Sequence, residues 1–260
     1  MKQLLIYDRP VPLNRKAHRH LRLQNRPGDM AFAAHLNSAP LAAAEFGRAA
    51  LSLPIVFAGS TADTAVPAVL LGLEERRNLL VGADDRWQPE AYVPAFLRRY
   101  PFVLAEKDDG EDFTVCLDEA YPGLGDTGEP LFDEQGQDTP LLANALGFLG
   151  DYQREVARTR EFVARLREHE LLEQKVVRVQ PANAPEFSLQ GFFVVDEAKL
   201  RGLKSRVVQT LMREGDLGLI YAHLLSLSNV ERLTRLLDAH GRASTPAGDV
   251  PADAGEPATA

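Results

Sequence analysis

The chain carries a single cysteine, Cys116, in 260 residues. No intrachain disulfide can form, which fits a reducing compartment. There is one tryptophan, and aromatic residues make up only 7%. No apolar run approaches the ~20 residues of a membrane helix. The longest, around Ala49–Gly59, is interrupted by Ser52 and Pro54. The opening Leu4-Leu5-Ile6-Tyr7 is too short for a signal-peptide core, and Asp8 and Pro10 follow at once. These absences lead to the expectation of a cytoplasmic protein without membrane insertion. Basic residues are the minority, 29 Lys and Arg against 37 Asp and Glu, for a net charge of −8. A nucleic-acid binder needs a net basic face to displace counterions, so nucleic acid is not an expected partner. No internal repeat with a period of about 20–50 residues is visible, which excludes solenoids and propellers.

What is present is ordinary for a globular chain: 45% hydrophobic and 25% charged residues. A chain of this length buries its core without covalent staples. Residues 1–240 read as one domain. Of the last 20 residues, 15 are Gly, Ala, Ser, Thr or Pro. Such a segment buries too little surface to offset its ordering entropy, and 241–260 is expected to be a disordered tail.

The charge is uneven. Residues 1–27 hold seven Lys/Arg against Asp8, whereas residues 106–138 hold twelve Asp/Glu against Lys107. The acidic region can be plain solvated surface, can attract a basic partner, or can receive the basic segment of the same molecule.

Local patterns predict the elements. Glu45–Leu51 reads as a short helix, and Leu53–Ala58, Val66–Leu71 and Asn78–Val81 as strands. Phe102–Glu106 and Phe113–Asp118 flank Asp109-Gly110, a hairpin turn pair. Thr139-Pro140 is a helix start, a capping hydroxyl followed by proline at the first helical position. The helical spacing runs to Leu172, with Tyr152, Val156, Val163 and Leu166 on one stripe and Glu161–Arg165 as an i,i+4 pair; Gly147 and Gly150 are places to bend or split it. Val176–Val179 and Ser188–Val195 are further strands. Lys204–Glu214 is a helix closed by Gly215, Leu217–Leu227 a buried helix, and Ser228-Asn229-Val230-Glu231 a capping box for the last one. The fold class is therefore α+β: a mainly antiparallel sheet of short strands with C-terminal helices packed on it.

The motifs that could carry chemistry are thin. Gly123-Leu124-Gly125-Asp126-Thr127-Gly128 matches the dinucleotide pattern G-x-G-x-x-G. Pro122 before it, Glu129-Pro130 after it and the acidic surroundings read instead as a glycine-rich surface loop. His18 and His20 lack a third ligand at metal-binding spacing, so no metal is expected. Cys116 sits between apolar residues as a buried thiol. One stretch is unusual in composition: Trp87, then Tyr92-Val93-Pro94-Ala95-Phe96-Leu97-Arg98-Arg99-Tyr100-Pro101-Phe102. Arginine supplies a planar donor fork and aromatics supply rigid contact area, so Trp87, Tyr92, Arg98, Arg99, Tyr100 and Phe102 form a candidate recognition surface. The competing reading is a core corner. Tyr221 and His223 are secondary candidates, with His223 also readable as a hydrogen-bonded core histidine.

These residues also carry a family likeness. Pro54-Ile55-Val56-Phe57, Leu71-Gly72-Leu73, Asn78-Leu79, Trp87, Tyr92-Val93-Pro94-Ala95 and Leu97-Arg98-Arg99-Tyr100-Pro101-Phe102 recur in that order in the SapC family. So do Leu131-Phe132-Asp133 with Gly136, Leu189-Gln190-Gly191-Phe192-Phe193-Val194-Val195-Asp196 and Tyr221-Ala222-His223-Leu224-Leu225-Ser226-Leu227. The chain resembles that family up to about residue 240. The resemblance implies a setting in bacterial surface-layer or cell-surface protein biogenesis, and supplies neither a cofactor nor a catalytic residue. The leading expectation is a non-enzymatic accessory protein with a protein or peptide partner. The alternatives are a cytosolic enzyme acting on a peptide or small molecule and an oligomeric scaffold.

Overall fold

The structure, a computed structural model, describes residues 6–24, 26, 28–106, 113–182 and 185–243. The fold is α+β. Eleven strands among the described residues form three antiparallel sheets. The largest has the order β10-β11-β4-β5-β3, with β3 at Ser38–Pro40, β4 at Ile55–Ala58, β5 at Val66–Leu70, β10 at Leu172–Val179 and β11 at Phe187–Val195. The second pairs β1 (Pro10–Pro12), β7 (Phe113–Asp118) and β6 (Phe102–Glu106). The third sets β2 (Arg22–Leu23) between β8 (Leu124–Gly125) and β9 (Glu129–Pro130). The helices are α1 (Phe46–Ala49), α2 (Ala95–Arg98), α3 (Pro140–Glu168), α4 (Glu197–Arg201), α5 (Ser205–Arg213), α6 (Asp216–Ser226) and α7 (Val230–Ala243).

Thr139 opens α3 in an extended conformation, accepting from the Leu142 amide, with Pro140 first in the helix. The helix runs unbroken through Gly147 and Gly150. Its start places Leu142 and Leu149 in a core with Phe102, Leu117, Leu131 and Phe132. Further along it places Tyr152, Phe162, Val163 and Leu166 in the larger core that covers the five-stranded sheet. One long helix thus joins two apolar clusters. Phe57 of β4 turns toward α3, its ring 6.4 Å from that of Phe162. The predicted Glu161–Arg165 pair does not form. Arg165 reaches across to Asp216 at the start of α6 instead, Nε and Nη2 donating at 2.5 and 2.9 Å. Asp216 is buried, so its carboxylate gains more from a bidentate guanidinium than the exposed Glu161 would.

The two oppositely charged segments meet within the molecule. Arg9 pairs with Glu119 at 3.2 Å and Arg15 with Asp138 at 3.0 Å. The Arg19 and Arg22 guanidiniums donate to the carbonyls of Glu134 and Gly128. Buried Asp118 accepts from the amides of Asp8 and Arg9 at 3.0 and 2.9 Å. The predicted dinucleotide-like glycines belong to this layer. Leu124–Gly125 is β8, no helix follows, and Gly128 turns with φ +102° where a Cβ would lie 2.4 Å from the Leu23 carbonyl oxygen. Its glycine serves a close backbone approach, not a phosphate.

Two further expectations are corrected. Asn78–Val81 is not a strand: the Asn78 side chain donates to the Ala33 carbonyl and accepts from the Leu80 amide, and only Val81 makes an isolated bridge, to Trp87. Ser228 does not cap α7. It lies in a 3-10 turn that carries α6 straight into α7, and its hydroxyl donates back to the Leu225 carbonyl. The expected Asp109-Gly110 turn lies outside the described residues, as does the expected tail from residue 244 onward; 241–243 complete α7.

Candidate functional site

The aromatic–arginine stretch divides between Arg98 and Arg99. Trp87 is buried, and its indole N–H donates to the Ala91 carbonyl at 3.0 Å, which closes the loop before Tyr92. Tyr92 is anchored at both ends. Its amide donates to the Ser52 hydroxyl, and its own hydroxyl donates to Glu45 Oε1 at 2.8 Å. Glu45 is buried at the head of α1. The same carboxylate accepts from the Ala95 amide at 2.7 Å and from the Ala42 amide at 3.0 Å. It therefore fixes the start of α2 to the start of α1, since free N–H groups at a helix start favour a negative partner. Burial raises the Tyr92 pKa, and the Glu45 charge raises it further, so the phenol stays protonated as a donor.

Arg98 lies on the outer side. Its Nε donates to the Val93 carbonyl at 3.1 Å and its Nη2 to the Tyr92 hydroxyl at 3.2 Å. Its guanidinium carbon stands 5.9 Å from the Tyr92 ring centroid and 5.2 Å from that of Phe148. Arg48, at the end of α1, takes a comparable position over Tyr92 at 5.8 Å. Among the described residues Arg48 has no carboxylate within ion-pair distance, and for Arg98 the nearest is Glu45 at 3.8 Å. Between them opens a groove of about 420 Å³ lined by Arg48, Leu51, Ser52, Glu90, Ala91, Tyr92, Val93 and Arg98. Leu51 is 81% exposed at its rim.

Arg99, Tyr100 and Phe102 turn inward. The Arg99 guanidinium lies against the rings of Phe96, Tyr152 and Tyr7 at 4.5, 5.2 and 5.7 Å, and its buried Nε has no hydrogen-bond partner among the described residues. Tyr100 stacks on Phe32 at 4.1 Å and meets Tyr121 edge-on. Phe102 is buried in the smaller core. None of these three lines the groove.

The secondary candidates separate too. Tyr221 is half-exposed on α6. His223 has no exposed surface. Its Nδ1 donates to the Ile55 carbonyl at 2.9 Å and its Nε2 accepts from the Val195 amide at 3.0 Å, an assignment that fixes a neutral ring. Burial lowers its pKa to about 4. With both nitrogens taken by backbone, it has no proton or lone pair to offer a substrate. His18 is likewise committed, its Nδ1 accepting from the Asn14 amide and its Nε2 lying 3.4 Å from Glu119. Burial raises the Cys116 pKa, which favours the unreactive thiol.

Sequence reasoning missed Arg48, Leu51 and Glu45. Leu51 sits in the run Ala49-Ala50-Leu51-Ser52-Leu53, which reads as core, and nothing local to Arg48 announces a tyrosine 44 positions on.

In chemical terms the groove offers two guanidiniums beside one aromatic ring, an exposed leucine and a single exposed carboxylate, Glu90. That arrangement suits a segment carrying a carboxylate next to an apolar side chain. Among the described residues no helix is long and apolar enough to cross a membrane. The SapC family model matches residues 13–233. No curated protein and no solved structure matches the chain.

Proposed function

The chain belongs to the SapC family, and from that premise we propose that it is a non-enzymatic accessory protein of bacterial surface-layer or cell-surface protein biogenesis. It works in the cytoplasm and recognises a protein or peptide partner through the Arg48–Tyr92–Arg98 groove. The observation that carries this reading is the pair of arginines held over one tyrosine ring beside the exposed Leu51. A buried carboxylate, Glu45, positions that ring and lies 3.8 Å from Arg98, while Arg48 has no carboxylate within ion-pair distance among the described residues.

The test is capture of partners from extracts of the host with the tagged protein and two variants. Each charge-assisted contact is worth about 1.5–3 kcal/mol, so the double variant Arg48→Ala/Arg98→Ala should weaken a stoichiometric partner at least ~100-fold. Its thermal unfolding should stay close to the parent's, because both side chains are exposed. Arg99→Ala should instead lower Tm by removing the cation from its aromatic surroundings. A folded double variant that keeps every partner sinks the groove assignment.

A second reading, a self-associating scaffold, is supported by the outer face of α6. There Tyr221 and Leu225, one turn apart, are 46% and 73% exposed. Light scattering that gives a monomer at high concentration counts against it.

A further inference from the structure

The five-stranded sheet carries an apolar cavity of about 220 Å³ on the face turned away from α3. Its floor is Val56 of β4 with Phe192 and Val194 of β11, and its roof is Leu227 and Val230, where α6 passes into α7. Leu189 and Val177 form the outer wall. Every one of these side chains is hydrocarbon, and Lys175 is the one charged residue in the lining.

The wall depends on a bulge. Leu189 and Phe192 are three residues apart on β11, and in a regular strand they would face opposite sides. Here Lys175 pairs with Phe192 and Val177 with Leu189, so Val176 stands opposite two residues, Gln190 and Gly191. Gly191 takes φ +88°, which a side chain would resist. The extra residue brings Leu189 and Phe192 to one face and extends an aliphatic wall outward to β10, the edge strand. Lys175 is exposed there, its Nζ 3.5 Å from Glu173 in a solvent-facing pair. Such pairs contribute little, so the ammonium is free to exchange partners.

We propose that this cavity is a binding site for a short-chain aliphatic carboxylate, its chain between the bulged sheet and the α6–α7 junction and its carboxylate on Lys175. An apolar cavity of about 150 Å³ stays dry and accepts benzene. At about 30 Å³ per atom-sized group, the share of one water in the liquid, the present cavity holds roughly seven carbons. An octanoyl chain with its head at the mouth matches that capacity. The site is separate from the Arg48–Tyr92–Arg98 groove and does not depend on it.

Calorimetric titration of the full chain with octanoate and with 1-octanol tests the proposal. Octanoate should bind saturably at one site and raise Tm, and octanol should bind about tenfold more weakly. Lys175→Gln should abolish that difference. Val177→Phe fills the outer cavity from a half-buried edge position and should cost octanoate more than tenfold while circular dichroism stays unchanged. Leu189→Phe serves the same purpose should Val177→Phe fail to fold. Absence of saturable octanoate binding overturns the site, as does binding indifferent to both filling substitutions. Equal affinity for octanol overturns the role of Lys175. Arg48→Ala/Arg98→Ala should leave octanoate binding untouched, which keeps failure here distinct from failure of the groove.

Discussion

Replacing Arg165 with methionine should lower the unfolding free energy by about 3 kcal/mol, read by urea denaturation at pH 7. The single change leaves the Asp216 carboxylate buried without its bidentate partner, and breaking such a pair from one side costs roughly 3–5 kcal/mol. The lower end applies because the Arg165 side chain keeps 27% of its surface in water. The companion variant Arg165→Met/Asp216→Leu should recover most of the loss, since removing both charges removes the desolvation penalty with them. If the single substitution costs less than about 1 kcal/mol, the bridge is screened by solvent and the contact between α3 and α6 rests on packing alone.

The second large effect is a pH dependence centred on His223. Its folded pKa is lowered to about 4, whereas an unfolded histidine titrates near 6.5. Between these values the unfolded chain binds a proton that the folded chain refuses. The stabilisation is therefore complete above about pH 6.5 and is lost as pH falls toward 4, to a total on the order of 3 kcal/mol. In His223→Leu this contribution to the slope should vanish. The same variant should be less stable by about 2–4 kcal/mol at pH 7, because the Ile55 carbonyl and Val195 amide lose their buried partner. Urea titrations of both proteins at pH 7.5, 5.5 and 4.5 separate this from carboxylate titration, which the two share. Parallel profiles would show that folded His223 takes up its proton at the same pH as the unfolded residue, which would overturn the buried neutral ring.

Much of the fold could be read from the sequence wherever a local rule acts alone. Phe102–Glu106 and Phe113–Asp118 are strands at their predicted bounds. Thr139-Pro140 opens a helix, and Gly215, at φ +81°, closes α5. The α+β class followed from these. The misses arise where a distant partner outbids a near one. Asn78 satisfies its amide on Ala33, 45 residues away, and the segment turns instead of extending. Arg165 prefers Asp216 to Glu161. Asp196 caps α4 by accepting from the Ala198 and Lys199 amides, a helix hidden in sequence by the strand running directly into it. The groove was half legible for the same reason. Tyr92 and Arg98 stand out by composition, but Glu45 and Arg48 join them only through tertiary contact. Which of the adjacent arginines faces solvent is decided by the single turn of α2.

The ion-paired layer near the N-terminus has a consequence for the order of assembly on the ribosome. The amides of Asp8 and Arg9 wait for Asp118, and Ile55 waits for His223, across separations of 110 and 168 residues. At synthesis rates of about 5–20 residues per second, the second wait alone lasts roughly 8–34 s. For the roughly 6–22 s in which about 110 further residues are made, Arg9 and Arg15 stand in the nascent chain before Glu119 and Asp138, the acids they pair with. Residues 1–27, with seven Lys/Arg against one acid, thus stay a net cation in a setting dense with ribosomal RNA until the acidic segment is made.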